Sequence, residues 1–167
     1  MKIIGIDPGL DGGIAVMDER GLRYAEVLPT TKLAKKREVN LAALRDLLSI
    51  DLDDLNPFAR DGVHVFLEHV HAMPKQGVTS MFTFGRGFGQ IEGILAGLRI
   101  PYTLVSPQTW KKVVMAGEPK GSEILVAERL WPEQDWRASE RCKKQHMGMI
   151  DAALIAEYGR RLGLRKI

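Results

Sequence analysis

Two apolar segments of the sequence each end in a carboxylate, and this feature constrains the fold more than any other. Asp7 closes the segment KIIGID just before a Pro-Gly turn, and Glu68 closes the segment VHVFLE. An acid at the end of a buried strand is costly unless it is paired or binds a cation. A third acid, Asp151, opens the Ala-rich helical pattern DAALIAEYGRR. Because Mg²⁺ and Mn²⁺ prefer carboxylate oxygens, the three acids predict a divalent-metal site if folding brings them together.

Length and composition indicate one domain, which we expect to span residues 1–167. A chain of 167 residues with 45% hydrophobic content can bury a sizeable core. No apolar run approaches the roughly 20 residues of a membrane span, and no signal peptide precedes the first strand-like segment. The single cysteine, Cys142, excludes an internal disulfide and suits a reducing compartment. We therefore expect a cytoplasmic protein without a membrane partner.

Positive charge is concentrated in the C-terminal part of the chain. The formal net charge is +3, and from Trp110 onward twelve Lys and Arg residues stand against eight Asp and Glu residues. Phosphate contacts supply most of the sequence-independent affinity for nucleic acids, so this clustering suggests a polyanionic partner. On charge alone, an ordinary solvated surface is the simpler interpretation.

The N-terminal part of the chain predicts an antiparallel meander of three strands. Residues 2–7, about 14–18 and 22–28 have strand-like hydropathy and are separated by glycine-containing turns. The basic stretch 29–39 is typical of a mobile loop. Asn40 is a suitable cap for the helix that follows, whose leucines fall on one stripe.

The rest of the chain alternates strands with helices. A fourth and a fifth strand are predicted at residues 63–68 and 102–105. The long helix between them, capped by Thr79 or Ser80, carries five glycines, which suggest close backbone packing on one side. Later helices are predicted at residues 108–115, 122–130 and 147–162. This order predicts an α/β fold with a five-stranded mixed sheet and helices on both of its faces.

A sheet centred on the first strand would bring the three acids together. The ends of the first and fourth strands would lie side by side, and the last helix would present Asp151. Facing carboxylates repel one another and are expected to hold divalent cations. Two metal ions about 4 Å apart would activate a water and stabilise the leaving oxygen in phosphodiester hydrolysis. Taken singly, Asp7 could be a turn residue, Glu68 a lysine partner and Asp151 a helix-start acid.

The same segments resemble a known family. IGIDPGLDGGIAV is similar to the opening of the RuvC-type Holliday junction resolvases, which belong to the ribonuclease H-like superfamily. FLEHV and DAALIA resemble the segments that carry the family's second and C-terminal acids. The stretch from HAMPKQGVTSMFTFGRGFGQIEGIL through PYTLVSPQTWKK resembles the resolvase-like proteins of bacteriophages and prophages.

The resemblance implies a function as well as a ribonuclease H-like fold. It implies a homodimeric endonuclease, with the long helix in the dimer interface, that nicks four-way junctions and other branched DNA symmetrically. The implied cofactor is Mg²⁺, for which Mn²⁺ would substitute, with two ions bound by Asp7, Glu68 and Asp151. No organic cofactor is expected.

One feature of the sequence departs from the family pattern. Such enzymes usually carry a fourth metal-site residue, Asp or His, about one helical turn before the last acid. Met147 and Gly148 stand there in this chain, and neither can bind a hard metal. His146 is the nearest substitute and a candidate catalytic residue. Contact with a phosphate and an ordinary surface position are its alternative roles.

Several further residues are predicted to bind DNA. Resolvases of this kind place a side chain just beyond the second acid that wedges between bases at the junction, and His71 and Met73 stand there. The predicted phosphate contacts are basic residues close in sequence to the acids or to their flanking helices: Lys75, Lys111, Lys112, Lys143 and Lys144.

Two other functions are compatible with the sequence. A branched-DNA-binding protein of the same fold with weak or no catalysis would explain the missing fourth ligand. A phosphotransferase of the actin or sugar-kinase type would share the first glycine-rich hairpin. That fold normally needs two such domains, whereas 167 residues supply one.

Overall fold

The computed structural model describes residues 1–34, 36–50, 62–71 and 77–163. None of the helices in these ranges is both long and apolar enough to cross a membrane. The strands are β1 (Lys2–Asp7), β2 (Gly13–Asp18), β3 (Gly21–Val27), β4 (Thr30–Leu33), β5 (Lys36–Val39), β6 (Val63–Glu68) and β7 (Tyr102–Val105). The helices are α1 (Leu41–Ile50), α2 (Val78–Gly97), α3 (Pro107–Val114), α4 (Glu123–Leu130) and α5 (Met147–Gly163).

Five strands form the main sheet, in the order β3-β2-β1-β6-β7. β1, β2 and β3 are antiparallel neighbours, whereas β6 runs parallel to β1 and β7 runs parallel to β6. The mixed sheet, its N-terminal meander and the central position of β1 are therefore confirmed. Residues 3–6 of β1 are all buried, as expected for a central strand that is covered on both faces.

The sheet separates two apolar layers, and the alternation of side chains along each strand decides which layer a residue joins. Ile4 and Ile6 of β1 pack with α1 and α2 on one face. Ile3 of β1 and Phe66 of β6 pack with α3, α4 and α5 on the other. Asp7 and Glu68 have the same parity as Ile3 and Phe66, so both acids belong to the face that α5 covers.

The backbone of α5 lies directly on β1. A Cβ atom on Gly5 would stand 2.1 Å from the carbonyl oxygen of Ala152 and 2.5 Å from the amide nitrogen of Ala156. Alanine-sized side chains on α5 and a glycine in β1 are what allow this approach. The Ala-rich pattern of the last helix thus follows from its position against the centre of the sheet.

Residues 29–39, predicted to be a mobile loop, instead contain a β-hairpin. β4 and β5 pair antiparallel, with Thr30 opposite Val39. Val39 is buried, and Arg37 donates a 2.6 Å hydrogen bond to the Asp11 carboxylate. The hairpin stands outside the main sheet, where exposed basic side chains cost little. Its lysines and arginines therefore removed the hydrophobic alternation from which strands are predicted.

The predicted cap of the long helix was also wrong. α2 begins after Gly77, which offers no side-chain cap, so neither Thr79 nor Ser80 caps it. A Cβ atom on Gly85, Gly89 or Gly93 would meet no other atom of the described residues within 4 Å. No backbone of this chain in the described ranges therefore packs against these glycines. By contrast, the predicted Asn40 cap of α1 is confirmed, since its side-chain oxygen accepts the Ala43 N–H at 3.1 Å.

The contact between β1 and α5 predicts a severe effect of one added methyl group. We expect Gly5→Ala to lower the free energy of unfolding by about 2 to 3 kcal/mol, because the new Cβ overlaps backbone atoms that cannot turn aside. Gly87→Ala is the matched control, since its Cβ would only touch Val39 at an ordinary 3.6 Å. The control should stay within about 1 kcal/mol of the parent, on the stabilising side. Equal urea midpoints for the two variants would contradict this account.

Candidate active site

The three acids occupy adjacent elements at one edge of the sheet. Asp7 ends β1 and Glu68 ends β6, and because these strands are parallel neighbours their carboxyl ends meet. Asp151 lies in the second turn of α5, which crosses the same face. The structure thus brings together the three residues that the sequence singled out.

The three carboxyl groups are coupled electrostatically. Burial raises the pKa of Asp7, although the Gly9 N–H, 3.1 Å from its side-chain oxygen, offsets part of this. Burial also raises the pKa of Glu68, and the negative charge of Asp7 adds to the effect. Asp151 is affected most, since burial and its two acidic neighbours raise its pKa to about 7 against the opposing charge of Lys111. The centre therefore resists carrying three negative charges at once.

One carboxylate oxygen of the centre lacks a hydrogen-bond partner among the described residues. One oxygen of Asp151, Oδ1, is buried and has no hydrogen-bond partner in the structure described. Buried polar atoms are normally satisfied, and a divalent cation would satisfy this one and offset the repulsion between the acids. Nevertheless, no group of three or more His, Cys, Asp or Glu side chains in the described ranges is arranged to hold a metal ion. The residue types and charges fit a cation, whereas the present side-chain positions would have to converge to bind one.

Helix α3 supplies a contact with Glu68 that the sequence did not reveal. Its start is fixed by Ser106, whose side chain accepts the Thr109 N–H at 3.2 Å, and by Pro107 in the first turn. One turn later, the fully buried Trp110 donates its indole N–H to Oε1 of Glu68 at 2.9 Å. Ser106 and Pro107 are typical of a helix start, but no sequence pattern pointed to the contact of Trp110 with Glu68.

Lys111 lies beside the acids and does not simply face solvent. Its ammonium group is 2.8 Å from the carboxylate of the buried Glu123 at the start of α4. Burial alone would lower the pKa of Lys111, but the hydrogen bond to Glu123 and the charge of Asp151 outweigh it and raise the pKa. Lys111 is thus a cation within the electrostatic reach of the centre, and its bond to Glu123 holds it there.

His146 precedes α5 and caps it. Its Nδ1 accepts the Met149 N–H at 3.3 Å, and the ring lies within electrostatic range of Asp7. With Nδ1 accepting, the proton of the neutral ring resides on Nε2, which makes Nε2 a donor. This arrangement favours donation to a phosphate oxygen over metal binding through Nε2.

The missing fourth acid has a steric explanation at one of its two positions. A Cβ atom on Gly148 would stand 2.2 Å from the carbonyl oxygen of Asp11, because the start of α5 pairs with the turn between β1 and β2. No acid fits at this position unless the turn moves. Met147, the preceding residue, is 42% exposed and carries no ligand atom suited to a hard metal.

The predicted DNA-binding residues fall into two groups. Met73 and Lys75 lie outside the described residues. The others are described: Lys111 belongs to the centre, and the exposed residues are His71, Lys112, Lys143 and Lys144. His71 lies against His69, with ring centroids 4.1 Å apart. Contact with DNA by these side chains stays a prediction.

Comparison with solved structures finds the same fold in Holliday junction resolvases. Thermus thermophilus RuvC aligns over 98% of this chain and 97% of its own, with 17% identity and a TM-score of 0.54. T. thermophilus RuvC in complex with a Holliday junction substrate aligns over 98% of this chain and 96% of its own, with 17% identity and a TM-score of 0.59. The yeast mitochondrial Holliday junction resolvase aligns over 98% and 79%, respectively, with 16% identity and a TM-score of 0.53.

No protein-family model and no curated protein matches the sequence. At the identities found among solved structures, the similarity establishes the fold alone. The ribonuclease H-like fold that the sequence resemblance implied is thereby confirmed. The closer likeness to bacteriophage proteins stays a prediction.

The raised pKa of Asp151 predicts that Asp151→Asn stabilises the metal-free protein at neutral pH. Asp151 keeps its proton in the folded state up to about pH 7, whereas its ordinary pKa is 3.8. Unfolding therefore releases a proton between these values, and the stability of the parent protein falls as pH rises through this window. The full shift corresponds to roughly 4 kcal/mol, and partial solvent access reduces the expected gain to about 1 to 2 kcal/mol.

Urea unfolding in EDTA at pH 4, 6 and 8 measures this effect. The advantage of Asp151→Asn over the parent should be small at pH 4, grow up to pH 7 and then level off. Asp46→Asn, which removes an exposed carboxylate from α1, controls for the loss of one charge. If Asp151→Asn were less stable than the parent at pH 8, burial of the charged Asp151 carboxylate would not destabilise the folded protein.

Proposed function

We propose that this chain is a nuclease that resolves four-way junctions and other branched DNA. The observation that carries the proposal is the electrostatically coupled centre of Asp7, Glu68 and Asp151, at the edge where β1 and β6 end beneath α5. The fold supports it, because solved structures with this fold include a RuvC bound to a Holliday junction and a mitochondrial Holliday junction resolvase.

In this proposal, Asp7, Glu68 and Asp151 hold two Mg²⁺ ions, and Mn²⁺ substitutes for them. When bound, such ions supply an activated water and stabilise the leaving oxygen of a phosphodiester. The carboxylates contribute orientation and negative charge, and their burial limits competing solvent. No side chain of the chain acts as the nucleophile.

The cationic and donor groups around the acids would bind the DNA backbone. Lys111 stands beside Asp151 and Glu68, where it can neutralise a phosphate that enters the centre. His146 can donate from Nε2 to a phosphate oxygen on the side of Asp7. Exposed lysines on α3 and on the segment before α5 extend this positive surface: Lys112, Lys143 and Lys144.

Cleavage of an immobile four-way junction tests the proposal. With Mg²⁺ or Mn²⁺ we expect paired nicks at symmetric positions, no cleavage in EDTA, and little cleavage of linear duplex or RNA–DNA hybrid. Asp7→Asn should reduce the rate ~100-fold or more, because it removes a charge from the metal-binding set. Asp18→Asn is the matched control, since it changes a strand-end aspartate that pairs with Arg23 outside the centre.

One alternative has a structural observation in its favour. The acids are not arranged to hold a metal ion as they stand, and the helix position of the fourth ligand is closed to an acid at Gly148. A branched-DNA-binding protein of the same fold with weak or no catalysis would account for both. Tight junction binding without cleavage in either metal would establish this alternative and refute the nuclease.

We further propose that the chain forms a homodimer through α2. Gly85, Gly89, Gly93 and Gly97 recur at every fourth position, are exposed, and leave their surroundings open in the described structure. Val78 and Phe82, which are 82% and 73% exposed, extend this stripe toward the start of the helix. Each glycine costs up to about 1 kcal/mol in a helix interior, and the close approach of a second helix would offset that cost. Two-fold symmetry would place two centres for two cuts.

Gly89→Arg should disrupt this dimer, because it places a bulky charge on the stripe. Sedimentation should show a monomer, and any remaining nicks on the junction should become uncoupled. Leu125→Arg is the matched control, since it introduces the same charge at a 67%-exposed position of α4. A dimer that survives Gly89→Arg with unchanged affinity would exclude α2 as the interface.

A further inference from the structure

Trp110 stands apart from the other buried tryptophan of the same apolar layer. Trp110 and Trp136 are 0% and 3% exposed, and both pack in the layer that contains α5. The indole N–H of Trp136 has no hydrogen-bond partner in the described structure, whereas that of Trp110 is bonded to Glu68 at 2.9 Å. Burial alone therefore does not create such a bond in this protein, and the contact with Glu68 requires its own explanation.

The indole is a rigid donor at a fixed position. Ser106 and Pro107 define the first turn of α3, and the Trp110 amide bonds back to the Ser106 carbonyl oxygen at 3.2 Å. An indole has one N–H and no acceptor, so its direction is set by the ring, which cannot turn within a packed core. Trp110 therefore donates its hydrogen bond to Glu68 from a position that the packing of α3 fixes.

Among the three acids, Glu68 has the most conformational freedom to lose, so a fixed hydrogen-bond donor restricts it most. Glutamate has one more rotatable bond than aspartate, so fixing its carboxylate costs more conformational entropy. A hydrogen bond to one oxygen restricts the group before any ligand arrives. Outer hydrogen bonds to metal-binding side chains act in this way, and their removal typically weakens metal binding by about 10- to 100-fold.

We propose that Trp110 is a positioning residue for the centre: its indole N–H restrains the Glu68 carboxylate, so that the other acids converge on an already restrained ligand when a divalent cation binds. The inference rests on the proposed function only in taking Glu68 as a cation ligand. In this proposal Trp110 contacts neither the divalent metal ion nor the DNA, and it acts through Glu68.

Trp110→Phe tests it, because phenylalanine keeps most of the ring and removes the donor. Trp136→Phe is the matched control, since it removes a buried indole N–H that has no described partner. We expect Trp110→Phe to raise the Mn²⁺ concentration for half-saturation about tenfold or more in calorimetric titrations, and Trp136→Phe to leave it unchanged. Junction cleavage by Trp110→Phe should recover as Mn²⁺ is raised. Equal Mn²⁺ affinity of Trp110→Phe and the parent would overturn the proposal.

A second measurement serves if Trp110→Phe folds poorly. The chain has three tryptophans, so Trp131→Phe/Trp136→Phe leaves Trp110 as the only indole emitter. Saturation with Mg²⁺ should shift the Trp110 emission, because it alters the charge on the carboxylate that the indole contacts, and Glu68→Gln should abolish the shift. Emission that is unchanged at saturation would refute the role of Trp110.

The proposed function and the role of Trp110 fail in different experiments. A parent protein that binds Mn²⁺ but never cuts a junction would refute the proposed nuclease activity. A lower Mn²⁺ affinity of Trp110→Phe than of the parent would still support the positioning role. Absence of Mn²⁺ binding by the parent would overturn the positioning role directly.

Discussion

The candidate site depends on one contact, that of the α5 backbone with the backbones of β1 and β2. Glycines at Gly5 and Gly13 in the strands face the helix, and Ala152 and Ala156 keep its near side flat. Larger residues at these points would hold the helix away from the sheet, as ordinary side-chain packing does. Because α5 approaches so closely, the carboxylate of Asp151 comes within the electrostatic range of Asp7 and Glu68. The chemistry of the centre is therefore a consequence of small residues elsewhere.

The same contact limits which ligands the centre can have. Gly148 must remain small because the start of α5 lies against the turn after β1, so the helix cannot offer a ligand there. His146, just before the helix, uses Nδ1 to cap it, and this leaves Nε2 as a hydrogen-bond donor. Close packing thus explains why no acid stands at Gly148, and the cap explains why Nδ1 of His146 is already engaged.

Much of the fold could be predicted because it follows from local pattern. The alternation of apolar residues and the turns at Pro8-Gly9 and Gly12-Gly13 identified the meander, and the end of each strand identified Asp7 and Glu68. The β4–β5 hairpin escaped prediction because its exposed, basic strands carry little hydrophobic signal. The contacts of Trp110 and Glu123 escaped it for another reason, since they depend on how α3 and α4 pack against β6 and α5, and no local pattern records such distances.

The glycines of α2 show that a local pattern can suggest close packing without identifying the partner. Their number indicated a close approach, yet the described part of the chain supplies no backbone opposite them. Glycines in a helix interior lower its stability, and close packing by a second copy of the chain would offset this loss, which is why we propose a second copy as the partner.

The acids of the centre also lack a full complement of positive charge in the described part of the chain. Among the described residues, Lys111 is the lysine whose charge offsets these acids, but Glu123 already binds its ammonium group at 2.8 Å. The positive charge is therefore shared, and it leaves the pKa of Asp151 raised and its Oδ1 without a partner in the described structure. A protein that needed these acids only for stability would gain from replacing Asp151 with a neutral residue. Retaining a buried acid at a cost to folding is the pattern expected where the missing positive charge arrives with a ligand.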